Sequence, residues 1–221
     1  MKLTQTVTDK LGRLGMQALA DALGASRIEA IVGEPRTYQE HPCRRLLLTA
    51  VNPDRNEFAY QSLRATADGV RVIMEAGWRD WLEGRVDAAA SSDHKTVEGA
   101  LAELRAAGAL LRTEMQVAPR ETGNSASADL AVSIDGEDGV VEVTSKGIND
   151  DEAELLQQTL SEPIQPGPNG VGFREHDVHP AGRPKAGECT AENVAQKLAQ
   201  KKEGATQAVK GTPSVLWVDL Q

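Results

Sequence analysis

Asp129 and Glu142 are the residues whose type and spacing point most directly to chemistry. They stand thirteen positions apart in the stretch SADLAVSIDGEDGVVEVTSK, residues 127–146. Two carboxylates on one surface make a good site for a hard divalent cation, which takes oxygen donors, polarises a substrate oxygen and lowers the pKa of a bound water. The same residues also read as ordinary solvent-facing acids. The run Val-Val-Glu-Val around Glu142 favours the first reading, because an unpaired charge inside a buried strand is costly.

The elements that must position these acids follow from hydrophobic periodicity. Leu130, Val132 and Ile134 alternate with Asp129, Ala131 and Ser133, a period of two that predicts a strand with one apolar face. Asp135-Gly136-Glu137-Asp138-Gly139 carries two glycines able to take positive φ and predicts a hairpin turn. The second strand then gives Val141 and Val143 to one face and Glu142, Thr144 and Lys146 to the other. Upstream, Ser91-Ser92-Asp93 predicts the cap of a helix running to about Leu111, with Val97, Leu101, Leu104 and Leu110/Leu111 as its stripe and Glu98 and Glu103 on its flanks. Thr113 to Pro119 reads as a short strand.

Downstream, residues 150–160 read as a short acidic helix. Prolines and glycines then crowd residues 163–187, too densely for long regular structure. Thr190 caps a further expected helix through Val194, Leu198, Ala205 and Val209. Ser214 to Asp219 has strand length, and the chain stops two residues later, as a piece of something longer would. Residues 1–90 read as mainly helical: a stripe of Leu11, Leu14, Ala18, Ala22 and Leu23 stopping at Gly24, an ambiguous run Arg44–Leu48, and a long pattern from Glu57 to Glu83 weakened by Gly69 and Gly77.

Composition narrows the function classes. The chain has 221 residues, 40% apolar and 26% charged, as in a globular protein, and only 3% aromatic, so its core rests on Leu, Val, Ile and Ala. No run reaches the ~18 apolar residues of a membrane span, and the first residues lack a signal-peptide core. Cys43 and Cys189 form no CxxC pair, so a reducing cytoplasm is the expected setting. A net charge of -9 gives no general attraction to nucleic acid. That counts against a simple DNA-coating role but does not exclude a nuclease with an acidic metal site.

From residue 93 onward, the expected order of elements, with Asp129 and Glu142 on it, resembles the core of the PD-(D/E)xK nuclease superfamily, the restriction-endonuclease-like fold, over roughly residues 93–220. Ala128-Asp129 stands at the "PD" element, with Ala for Pro, and Val141-Glu142-Val143-Thr144 at the (D/E)xK element, with Thr144 at the usual Lys position. The resemblance implies an α/β αβββαβ core with a mixed central sheet, preceded by a helical region. It divides the chain into residues 1–90 and a nuclease core at 91–221 with a long insertion at 147–189. It implies that Asp129, Glu142 and the carbonyl of Val143 hold Mg²⁺ or Mn²⁺ and hydrolyse DNA phosphodiesters, in restriction, phage defence or DNA processing. Glu98 or Glu103 would be the helix-borne acid. The missing cation would come from Lys146, about 6.6 Å further along the strand than Thr144, or from Lys197, Lys201 or Lys202 on the later helix.

Two rival readings stand beside it. In one, the fold persists without chemistry and the chain is a binding or assembly module of a larger complex. In the other, the helical region of residues 1–90 does the work as a regulatory partner-binding annex. The N-terminal helices are the expected surface for a homodimer or larger complex. Trp78 and Trp81 read as core or interface anchors rather than base-stacking platforms. His176 and His179, with Cys189, have poor spacing for zinc and read as loop residues. No GxSxG, Walker-type or GxGxxG stretch is present.

Overall fold

The computed structural model describes residues 3–33, 41–120, 129–146, 165–166, 172–173 and 213–220. Among them six α-helices precede the sheet: α1 (Leu3–Arg13), α2 (Gln17–Gly33), α3 (Pro42–Thr49), α4 (Glu57–Glu75), α5 (Arg79–Ala89) and α6 (His94–Leu110). A mixed four-stranded sheet follows, built from β1 (Gln116–Pro119), β2 (Leu130–Ile134), β3 (Glu137–Lys146) and β6 (Ser214–Leu220). Two-residue strands β4 (Gln165–Pro166) and β5 (Gly172–Phe173) pair with each other. The chain is a helix-rich mixed α/β protein. The helices expected at 150–160 and 190–209 lie outside the described residues.

Local signals explain most boundaries. The stripe expected to run unbroken from Leu11 to Leu23 is folded back on itself at Gly15 (φ +76°), so α1 packs on α2. Gly24 interrupts the helix, as expected. It takes φ +70° and kinks α2, which continues to Gly33. The Arg44–Leu48 run is helical: Pro42 sits in the first turn of α3, and His41 Nδ1 accepts the Cys43 N–H. That bond leaves His41 Nε2 to donate to Ser91 O at 2.7 Å, joining α3 to the start of α6. Asp93 caps α6, accepting the Thr96 N–H at 3.0 Å.

The pattern from Glu57 to Glu83 breaks at Gly77 (φ +80°) but not at Gly69. Gly69 is needed inside α4 because α6 crosses it at backbone contact. A Cβ on Gly69 would stand 2.3 Å from Leu104 O, and a Cβ on Gly108 would stand 2.3 Å from Gly69 Cα. Nine residues of α6 are buried, five of them Ala or Gly, as so close a crossing requires.

The hairpin turn is tighter than the five residues expected. Asp135 and Gly136 alone turn the chain, both at positive φ (+53° and +84°), the primed type that suits the twist of paired strands. Glu137 therefore already pairs with Ile134. β1 and β2 are antiparallel, as are β2 and β3, whereas β6 runs parallel to β3, with Val143 opposite Trp217. Leu130, Val141 and Val143 join a single buried cluster that begins at Val7 and continues through all six helices.

Gly69→Ala is expected to destabilise the protein by about 3 kcal/mol, because neither backbone can yield cheaply. For a chain of this size that corresponds to roughly 6–12 °C in thermal melting. Gly84→Ala, in α5 with open space around the new methyl, is expected to stabilise by up to about 1 kcal/mol. Circular-dichroism melts of the two variants check both signs.

Candidate functional site

Asp129 lies one residue before β2, and Glu142 lies within β3. The register that pairs Leu130 with Val141 carries Asp129 up to Glu142. At that point the ladder changes character. Asp129 N–H donates to Val141 O at 3.1 Å, and its carbonyl accepts the Arg120 N–H at 3.1 Å. Its carboxylate Oδ2 accepts the Val143 N–H at 2.7 Å. A side-chain oxygen thus stands where a backbone carbonyl would continue the ladder, and it fixes the Asp129 rotamer. Val143, expected to contribute its carbonyl, meets Asp129 through its amide. Glu142 is half-buried, with Oε2 shielded from solvent.

A third acid joins them from the helices. Glu103 on α6 is 15% exposed, its Oε2 lies 3.0 Å from Arg85 Nη1 of α5, and its Oε1 accepts from the same nitrogen at 3.2 Å. Its carboxyl is pushed up to about 7 overall, with burial the largest cause. The Arg85 guanidinium pulls it down, and the negative charges of Asp129 and Glu142 push it up further. Glu103, Asp129 and Glu142 therefore share one electrostatic environment, supplied by α6, the entry to β2 and the body of β3.

Glu98 belongs elsewhere. Five residues earlier, it lies about 140° around the helix from Glu103. Burial raises its pKa, and the charges that act on it are His94 and Arg45. Of the two helix-borne candidates, only Glu103 meets the hairpin acids. Lys146 lies on β3 with its backbone opposite Leu220, but its side chain, together with Lys197, Lys201, Lys202, Ala128, His176, His179 and Cys189, lies outside the described residues. Cys43 is fully buried, and desolvation pushes its thiol up to about 12, so it is no nucleophile.

Arg85 is the member of this group that sequence reasoning missed. Its guanidinium lies 5.3 Å from the Trp81 ring centroid as well as against Glu103. The Trp81/Arg85 spacing of four on one helix was an available signal for the first contact. Nothing local announced the second, which crosses from α5 to α6.

The donor set is all carboxylate, which suits Mg²⁺ or Mn²⁺ rather than a soft metal. In this conformation one Asp129 oxygen bonds Val143 and Glu103 is tied to Arg85. Among the described residues, no group of three or more His, Cys, Asp and Glu side chains stands in a metal-holding arrangement. Comparison with family models, curated proteins and solved structures finds no match to this chain. The family resemblance therefore rests on the motif and the order of elements.

The raised Glu103 pKa carries a pH dependence. A carboxyl whose folded pKa exceeds its unfolded value stabilises the fold at low pH, and that contribution declines as pH rises from about 4.5 and is gone above about 7. Unfolding free energy should fall over this window with a contribution of up to about 1.4 kcal/mol per pH unit. Glu103→Gln should flatten the profile, and Arg85→Met should move the Glu103 titration upward. Urea unfolding at stepped pH measures the first, and carboxyl-carbon NMR the second.

Proposed function

We propose that the chain is a metal-dependent nuclease domain of the restriction-endonuclease-like kind, hydrolysing DNA phosphodiester bonds. The observation that carries this reading is the hairpin geometry that sets the Asp129 carboxylate, bonded to the Val143 amide, beside Glu142, with the Glu103-bearing α6 packed against β3. Like charges gathered in a partly buried place destabilise the fold, and such clusters are characteristic of functional sites. The order α6-β1-β2-β3-β6, with β6 parallel to β3, adds support, since the resembled core has a helix, three strands and a later strand in a mixed sheet.

Asp129 and Glu142 would hold the Mg²⁺ or Mn²⁺, with the carbonyl of Val143 as a further oxygen donor. The ion, when bound, supplies charge for the phosphate and lowers the pKa of a water. The Val143 amide keeps Asp129 in place for that task. Glu103, titrating near neutral pH, holds or releases a proton at its carboxyl beside the other two acids. Thr144 brings no positive charge to the position where the resembled motif has lysine. Arg85, held between Trp81 and Glu103, is the described cation nearest in role.

A second reading, a catalytically degenerate module for binding or assembly, draws support from Thr144 and from the Arg85–Glu103 pair, which neutralises part of the acidic charge without a metal. Plasmid and linear DNA with Mg²⁺ or Mn²⁺ separate the two. The nuclease reading expects cleavage that falls more than about a hundredfold in Asp129→Ala and in Glu142→Ala, more than is typical for loss of an outer-shell partner. Cleavage that survives the double substitution sinks the assignment. Metal binding or partner capture without any turnover supports the degenerate module.

A further inference from the structure

We propose that the cleft between the N-terminus of α5 and the end of β1 binds an unpaired nucleotide of a single-stranded nucleic acid and leads that strand toward the carboxylates. The second half of this statement rests on the nuclease reading, whereas the binding itself does not. The cleft has a volume of about 330 Å³, at the lower end of the usual range for small-molecule sites. Its lining combines three features that such a nucleotide requires.

The first is a pair of aromatic rings. Trp78 and Trp81 stand with centroids 5.8 Å apart and planes at 82°, forming a corner in which a base stacks on one ring against the edge of the other. Both rings pack against the core cluster, in line with the expected anchoring role, yet both are only partly buried and line the cleft. The second feature is local positive charge: Arg79 and Arg120 line the same cleft in a chain of net charge -9. The third is the start of α5. Trp78 is its N-cap and provides no side-chain cap. Arg79 N–H turns back to Gly77 O at 2.9 Å, and the first amide to reach the N-cap carbonyl is that of Leu82, at 2.9 Å. The amides of Asp80 and Trp81 lie before that bond, at a helix end that favours phosphate oxygens. Asp80 also lines the cleft, is exposed, and opposes the phosphate.

Two short connections join this cleft to the acids. Trp81 carries Arg85, which pairs with Glu103. Arg120 donates its amide to the carbonyl of Asp129. A duplex hides its base faces, so a stacking corner of this size selects unpaired bases. Stacking does not distinguish DNA from RNA, so the shared chemistry is an unpaired base with its phosphodiester.

The test is fluorescence anisotropy of labelled oligothymidylate or oligouridylate of about twelve nucleotides, titrated with the full chain in EDTA so that no cleavage is needed. Trp78→Leu should weaken binding about fivefold to a hundredfold. Arg79→Gln with Arg120→Gln, both outside the core, should flatten the log–log salt dependence by about 1.4. Asp80→Asn should tighten binding, and a duplex of equal length should bind more weakly. No binding of either strand, equal binding of the duplex, or affinity unchanged in both the Trp78 and the double arginine variants would overturn the proposal. Strand binding that depends on these residues without any metal-dependent cutting leaves it standing while the nuclease reading fails. Cutting that ignores them has the opposite meaning.

Discussion

The backbone contact between Gly69 and Gly108 is the constraint on which the other elements depend. Two helices can cross this closely only where neither carries a side chain, and here each glycine faces the other helix's main chain. The contact sets how deeply α6 sinks among its neighbours. It lies against α4 and α5 on one side and β3 on the other. Every residue on α6 is then committed: Leu101 and Leu104 to the core, Glu98 toward α3, and Glu103 toward the hairpin. A helix held off α4 by one methyl group would shift Glu103 relative to both Arg85 and the sheet.

Glu103 shows how the competing terms resolve. A guanidinium at 3.0 Å would by itself hold a carboxyl low. Desolvation in a site that is 15% exposed acts the other way, and Asp129 and Glu142 add to it, so the net shift is upward to about 7. Arg85 is outweighed by these effects. Positive charge brought to Asp129 and Glu142 would therefore favour ionisation of Glu103. Under the nuclease reading, metal binding at these acids would be linked to proton release from Glu103.

Much of this was legible in the sequence where the signal was local. The Asp93 cap, the alternation through Leu130–Ile134 and the glycines of the hairpin each act within a few residues, and each appears in the structure near its expected position. The turn was read too long because Glu137, Asp138 and Gly139 look like turn residues, yet they pair once Asp135 and Gly136 take positive φ. Gly69 was read as a weakness of its helix. Its propensity cost is real, about 1 kcal/mol, but the compensating contact lies thirty-nine residues away at Gly108 and has no local trace. The Glu98/Glu103 alternative stayed open for the same reason, since both acids flank the stripe and only the packing of α5 and β3 separates them.

Arg85 changes what chemistry the site supports. It comes from the helical region that precedes the resembled core, so this cation reaches Glu103 across the packing of α5 on α6. A lysine at position 144 would bring a compact ammonium able to lose its proton when desolvated. A guanidinium stays charged and presents a rigid fork of donors. Arginine at this place can therefore orient and neutralise an oxyanion but cannot take a proton from water. Under the nuclease reading, proton handling would then fall to Glu103, whose carboxyl is pushed up to about 7. On that reading one lysine's tasks would be split between an arginine and a glutamate, both held by helix packing, and the chemistry would depend on the integrity of the α4–α6 crossing.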